Sequence, residues 1–288
     1  RKLKDMLFDV MMCLLNPSPA VKIAAVRATG KIGDEDAAVS LMDLLIGADT
    51  ELRGAIEQAL IDIGRNGMRV LERFMSSPND DIWRAAVSVV NATGTKEELH
   101  GWIVPSCVKK LEELSATTLF LSRIEAAAGA DGHWTELARM RCDEITRSRL
   151  DTIWTVMIRF GDERSVPELR NALESRDEEV RDHGLEILSE GLGNARLASA
   201  LLAFYQGRSK TQTPAEDSGQ AAVNDPWLQA IAIKAGASEG ESVLLNNWEY
   251  LSALDKMVFL KQVPLFHEIS IEELGRVASI AHEKTYGE

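Results

Sequence analysis

Val21-Lys-Ile-Ala-Ala-Val-Arg-Ala-Thr-Gly-Lys-Ile-Gly33 has two close echoes downstream. They are Leu52-Arg-Gly-Ala-Ile-Glu-Gln-Ala-Leu-Ile-Asp-Ile-Gly64 and Ile82-Trp-Arg-Ala-Ala-Val-Ser-Val-Val-Asn-Ala-Thr-Gly94. Each stretch runs twelve residues from a leading aliphatic to a closing glycine, and the glycines recur at intervals of 31 and 30. Repetition at such a period is the signature of a stacked array. Counted from the leading aliphatic, offsets 0, 3, 4 and 7 hold Val21, Ala24, Ala25 and Ala28, then Leu52, Ala55, Ile56 and Ala59, then Ile82, Ala85, Ala86 and Val89. That spacing is one apolar stripe of an α-helix and not the alternation of a strand. Small residues inside the stripe allow neighbouring helices to approach closely. The closing glycines suit C′ positions at positive φ.

A second helix completes each unit. Asp34-Glu35-Asp36 precedes one apolar run, Gly67-Met68 opens another, and Thr95 with Glu98 forms a capping-box pattern. The unit is therefore a helix–turn–helix of about 30 residues with short connections. Arg159-Phe-Gly-Asp-Glu-Arg-Ser-Val-Pro-Glu-Leu169 repeats the grammar of Lys31-Ile-Gly-Asp-Glu-Asp-Ala-Ala-Val-Ser-Leu41. Val180 to Gly193 and Asp225 to Gly236 supply further members. Residues 97–128 and 133–160 leave room for two degenerate units, separated by Gly129-Ala-Asp-Gly132. The expected fold is all-α, a right-handed α-solenoid over residues 1–250 with a polar loop at 206–226.

Composition narrows the function. The net charge is −13, a sign that repels phosphate backbones and argues against nucleic acid as a partner. Three scattered cysteines, Cys13, Cys107 and Cys142, give neither a disulfide framework nor a zinc site, which fits a reducing cytoplasm. No apolar run approaches the roughly 18 residues of a membrane span. The five histidines form no H-x-x-x-H spacing, so no metal is expected. The acidic clusters Asp34-Glu35-Asp36, Asp80-Asp81, Asp177-Glu178-Glu179 and Glu272-Glu273 all fall at expected helix starts, where capping accounts for them without catalysis. His183 takes an offset that other units give to alanine, and a partly exposed histidine is the expectation there. No phosphate-binding glycine loop or nucleophile motif appears, so neither a cofactor, a small-molecule ligand nor catalysis is expected.

The repeat resembles the HEAT family, in the short variant also found in bilin-lyase-like proteins. Units of that family often carry an acid before the second helix and a base after its leading aliphatic. Asp49 or Glu51 with Arg53, and Asp177 with Arg181, match this habit, while Trp83 replaces the base and Arg84 follows it. The resemblance implies an interaction scaffold whose partner is protein, and Trp83, Arg84, Arg53 and Arg181 are its expected contact residues. Its alternative implication is a bilin lyase or isomerase acting on phycobiliproteins.

From residue 251 to 288 the character changes. Phe259-Leu-Lys-Gln-Val-Pro-Leu-Phe266 followed by Ser270-Ile-Glu-Glu-Leu274 resembles the helical opening of a cyclic-nucleotide-binding domain. The β-roll that holds the nucleotide in that family has no counterpart before Glu288, so no nucleotide binding is expected. HEAT arrays placed before such a domain occur in bacterial proteins similar to ATP/ADP translocases with soluble extensions. Gly184-Leu-Glu-Ile-Leu-Ser189 and Asp225-Pro-Trp-Leu-Gln-Ala230 resemble their repeats. The basic start Arg1-Lys2-Leu3-Lys4, without a methionine, then suits a segment of a larger protein on the cytoplasmic face of a membrane.

Overall fold

The computed structural model describes residues 9–16, 18–129, 132–191, 193–209, 223–237 and 248–281. The basic start, residues 210–222 of the polar loop and the last residues of the chain lie outside these ranges. Among the described residues every regular element is helical, and no helix is long and apolar enough to cross a membrane.

The three repeat stretches form α1 (Pro19–Ile32), α3 (Thr50–Ile63) and α5 (Asp80–Thr93), each 14 residues long. Between them lie α2 (Glu35–Asp43) and α4 (Met68–Phe74). Capping chemistry sets the starts. Asp34 accepts from the Ala37 amide, Asp49 from the Leu52 amide, and Asn79 from those of Asp81 and Ile82. Thr95 and Glu98 form the expected reciprocal box. α1 packs on α3 and α3 on α5, with α2 and α4 packed together beside them. Leu41, Met42, Ile56, Leu60 and Leu71 are buried among these helices.

The stops differ from expectation. Gly64 has a positive φ of 60°, but Gly33 and Gly94 sit in extended backbone at φ −69° and −72°. These two glycines serve a different need. A Cβ at either position would lie 2.5 Å from the carbonyl oxygen four residues back, the acceptor of the glycine's own N–H. Gly30 brings α1 close to the backbone of α3, since its Cβ would fall 2.6 Å from the Ala59 Cα.

The stripe itself holds in α3 and α5, where Ala55, Ile56, Ala59, Ile82, Ala85, Ala86 and Val89 are buried. In α1 it does not: Val21 and Ala24 are exposed, and Ile23, Ala25, Val26, Thr29 and Gly30 are buried instead. The reason is position in the row. On α3, offset 7 (Ala59) is covered by Gly30 of the helix before it. On α1 the turn Cys13–Leu15 packs against the helix and leaves Val21 and Ala24 at the surface.

A short turn (Lys96–Glu98) and a π turn (Leu99–Ile103) lead into α6 (Val104–Ala128), which is followed by α7 (Gly132–Phe160). Where two degenerate hairpins were expected, each region is one continuous helix, because the only glycine break is the one at 129–132. Then come α8 (Ser165–Leu173), α9 (Glu178–Ser189), α10 (Ala195–Ser209), α11 (Pro226–Lys234), α12 (Trp248–Lys261) and α13 (Ile271–Ile280). α10 carries helix past Gln206, into the stretch expected to be loop. The likeness of α8 to α2 extends to chemistry: Asp162 accepts from both the Ser165 amide and hydroxyl, as Asp34 accepts from Ala37. Those bonds hold the Asp162 carboxyl below the usual carboxylate range.

The chain divides into two compact units, residues 1–110 with 151–203, and residues 111–150 with 204–288. The expected boundary at 250/251 lies inside the second unit.

Two glycine substitutions test the stacking. Gly30→Ala is expected to lower stability by about 1–3 kcal/mol, the cost of overpacking. Gly54→Ala, at an open position within α3, is expected to raise it by about 0.5–1 kcal/mol. Urea denaturation of both variants checks this, and equal effects would contradict the close α1–α3 approach.

Candidate interaction surface

The start of α5 gathers most of the expected contact residues, and the structure sorts them. Trp83 is 0% exposed. Its indole N–H donates to Ser106 Oγ at 2.7 Å, and the Ser106 hydroxyl donates to the Met75 carbonyl at 2.6 Å. Lys110, itself only 2% exposed, places Nζ 5.6 Å from the Trp83 ring centre and 3.1 Å from Asp80. Trp83 is therefore a core residue and not an exposed anchor, which corrects the expectation drawn from its offset. The first turns of α6 supply Ser106 and Lys110, and a buried indole needs such a partner for its N–H.

Arg53 and Arg84 are brought together and remain partly exposed. Arg53 Nη2 lies 2.9 Å from one oxygen of Asp81, and Arg84 Nη2 lies 2.6 Å from the other. Asp49, the acid before this helix, caps α3 through the Leu52 amide. Beside this pair the Ser88 hydroxyl donates to Glu57 at 3.1 Å. Burial pushes the Glu57 carboxyl above its usual range, against the Ser88 bond and the charges of Arg84 and Arg53. Arg53, Glu57, Asp81, Arg84 and Ser88 thus make a polar seam joining α3 to α5 on their solvent side. Glu57 and Ser88 are not among the contact residues expected from the sequence. Their signal is nonetheless present there, since they hold offsets 5 and 6 of consecutive repeats.

Arg181 is partly buried on α9, apart from that seam, and makes no ion pair among the described residues. Asp177, the acid before this helix, caps α9 through the Glu179 and Val180 amides. His183 on the same helix is exposed, 3.7 Å from Glu186. His100, in the π turn, stacks on Phe160 at 4.9 Å. Its Nδ1 lies 3.0 Å from the side-chain amide nitrogen of Asn194, whose oxygen caps α10 at Leu197. An amide nitrogen can only donate, so Nδ1 is the acceptor and the proton sits on Nε2.

The second unit has its own polar centre. Arg141 donates from Nε and Nη2 to Asp225 at 3.0 and 2.7 Å, and from Nη1 to Glu144 at 3.2 Å. Glu144 in turn accepts the Ile271 amide at 2.7 Å, and Asp225 accepts that of Leu228. One guanidinium and two carboxylates thereby tie α7 to the starts of α11 and α13. Burial raises the Glu144 carboxyl above its usual range, opposed by the Ile271 bond and Arg141. Lys261, part of the Phe-Leu-Lys motif, donates to the His267 and Ile269 carbonyls and so fixes the turn before α13. Cys107 and Cys142 offer no reactive thiolate: burial raises the Cys107 thiol and pushes Cys142 up to about 12. Among the described residues no group of three His, Cys, Asp or Glu could hold a metal ion.

Two measurements separate core from surface. Trp83→Ala is expected to cost about 3–5 kcal/mol as a cavity variant, whereas Arg84→Ala should cost no more than about 1 kcal/mol; matching losses in thermal melts would contradict this division. Glu57→Gln keeps an oxygen for Ser88 and removes the buried charge. Because the folded pKa of Glu57 is raised, its protonated form favours folding below the ordinary carboxylate range, and that contribution is lost as pH rises through the folded value. The variant should therefore match or exceed the parent at neutral pH, and its advantage should fade on acidification. A variant less stable at every pH would show that the arginines hold Glu57 charged.

Comparison with family models, with curated proteins and with solved structures finds no match.

Proposed function

We propose that this chain is a non-catalytic interaction scaffold, a HEAT-like α-solenoid segment of a larger protein. The observation that carries the reading is the row α1, α3, α5: three helices of equal length, in register with the sequence repeat, each packed on the next. A row of this kind presents an extended face instead of an enclosed chamber, and such faces serve as binding surfaces for other proteins. The exposed edges of Arg53 and Arg84 along the α3–α5 seam, and Arg181 on α9, are the polar contacts this role assigns. Trp83, being core, is not among them. On the sequence resemblance, the scaffold links a transporter-like membrane part to a cyclic-nucleotide-sensing domain on the cytoplasmic side, and its partners are those neighbouring domains.

Hydrogen–deuterium exchange tests this on the natural full-length protein against the present chain alone. Slower exchange in α3, α5 and α9 within the full-length protein is expected, and Arg53→Gln with Arg84→Gln should abolish it at α3 and α5 while lowering the stability of the isolated chain by no more than about 2 kcal/mol. Identical exchange in both contexts contradicts the reading. So does a coloured covalent adduct on incubation with a bilin and an acceptor phycobiliprotein.

A further inference from the structure

The outward face of α1 is unusual for this acidic chain. Ala20 and Ala24 are exposed, Ala28 is half-buried, and Val21 is 39% exposed. The turn Cys13–Leu15, packed against α1, adds Leu15 at 75% exposure, with Met12 just before it at 53%. At 100° per residue, Ala20, Ala24, Arg27 and Lys31 fall on one narrow arc, with Val21 and Ala28 beside it. Both basic residues are exposed, neither pairs among the described residues, and α1 contains no acidic residue. The result is a smooth apolar strip edged with positive charge.

α9 carries the opposite face in the same unit of the same chain. Glu179, Asp182 and Glu186 share one arc, with Val180 (44% exposed) and Ile187 beside it. Glu178 adds charge at the first turn. Only Gly184 and Leu188 of α9 are buried. Positive charge on α1 is concentrated in its C-terminal half, and negative charge on α9 in its N-terminal half. An antiparallel pairing of the two helices therefore sets Arg27 and Lys31 beside Glu179 and Asp182.

We propose that α1 of one copy docks antiparallel on α9 of a second copy, as a heterologous self-association contact. This deepens the scaffold reading by naming one partner, and it rests on that reading. Charge complementarity selects the occupant. The chain as a whole is strongly negative, so a second copy approaches favourably only at a local positive strip, and α1 provides one. Alanines let the helices come close, and Leu15 and Met12 extend the apolar contact. Each copy carries both an α1 strip and an α9 face, so association grows with concentration.

Sedimentation velocity on the full chain, over rising concentration at low and high salt, tests this. The average sedimentation coefficient should rise with concentration and fall with salt. Arg27→Glu with Lys31→Glu, and separately Asp182→Lys with Glu186→Lys, should each weaken association more than about tenfold. Mixing the two variants should restore it, since each then offers what the other lacks. Restoration also guards against loss through misfolding. A chain that stays monomeric at low salt, or association that neither pair of changes affects, overturns the proposal. So does a monomeric chain whose α1 instead binds vesicles of anionic phospholipid. Self-association covers α1 and α9 only, so exchange at α3 and α5 tests the scaffold reading independently of these outcomes.

Discussion

The structure depends on how closely one helix can approach the next. At Gly30 the backbone of α1 comes so near α3 that a Cβ would meet the Ala59 backbone. Contacts this short exist only where both helices carry small residues, and they set the register of the later helices in the row. With α1 and α3 fixed, α2 and α4 can share Leu41, Met42 and Leu71 in one buried layer. α3 packs in turn on α5, with the Arg53–Asp81–Arg84 cluster at its solvent edge. Packing energy thus comes from a repeated apolar stripe, and polar groups trim its margins.

Charge in this protein is concentrated at helix ends. Asp34, Asp49, Asp177 and Asp225 all cap through side-chain oxygens, and Glu98 closes a box with Thr95. The second unit uses the same device across helices, since Glu144 on α7 satisfies the first amide of α13. Lys256 and Lys261 do the complementary task at carbonyl ends. Among the acidic clusters, Asp34 and Asp177 accept backbone amides, while Asp80 and Asp81 are held by Lys110, Arg53 and Arg84.

Much of this architecture is legible in the residues. The leading aliphatic and closing glycine locate α1, α3 and α5, because twelve-residue spacing and cap chemistry are local. The kinship of residues 31–41 and 159–169 is also local, and it extends to an aspartate, Asp34 or Asp162, that accepts the amide three residues on. What a linear reading misses is anything that depends on a distant neighbour. The offset of Trp83 points to solvent, and only the arrival of Ser106 and Lys110 makes it core. Arg141 and Asp225 lie 84 positions apart, so nothing in the sequence joins them. The glycines at 33 and 94 close their helices for a different reason than positive φ, since an absent Cβ and a left-handed backbone leave the same mark on a sequence. The outward stripe of α1 escapes the pattern because periodicity reports an apolar face without saying whether anything covers it.

The central claim is that consecutive fourteen-residue helices lie side by side in a fixed register. Paired cysteines at Glu57 and Ser88, in a chain whose Cys13, Cys107 and Cys142 are replaced, test it most directly. The two native side chains meet across α3 and α5. A short bifunctional thiol reagent should bridge the cysteines rapidly in the folded chain and fail to do so in urea. Thiols that stay free in the folded protein, or a bridge that forms more readily from position 57 to position 91 than to position 88, would show that these helices are not stacked in the register described.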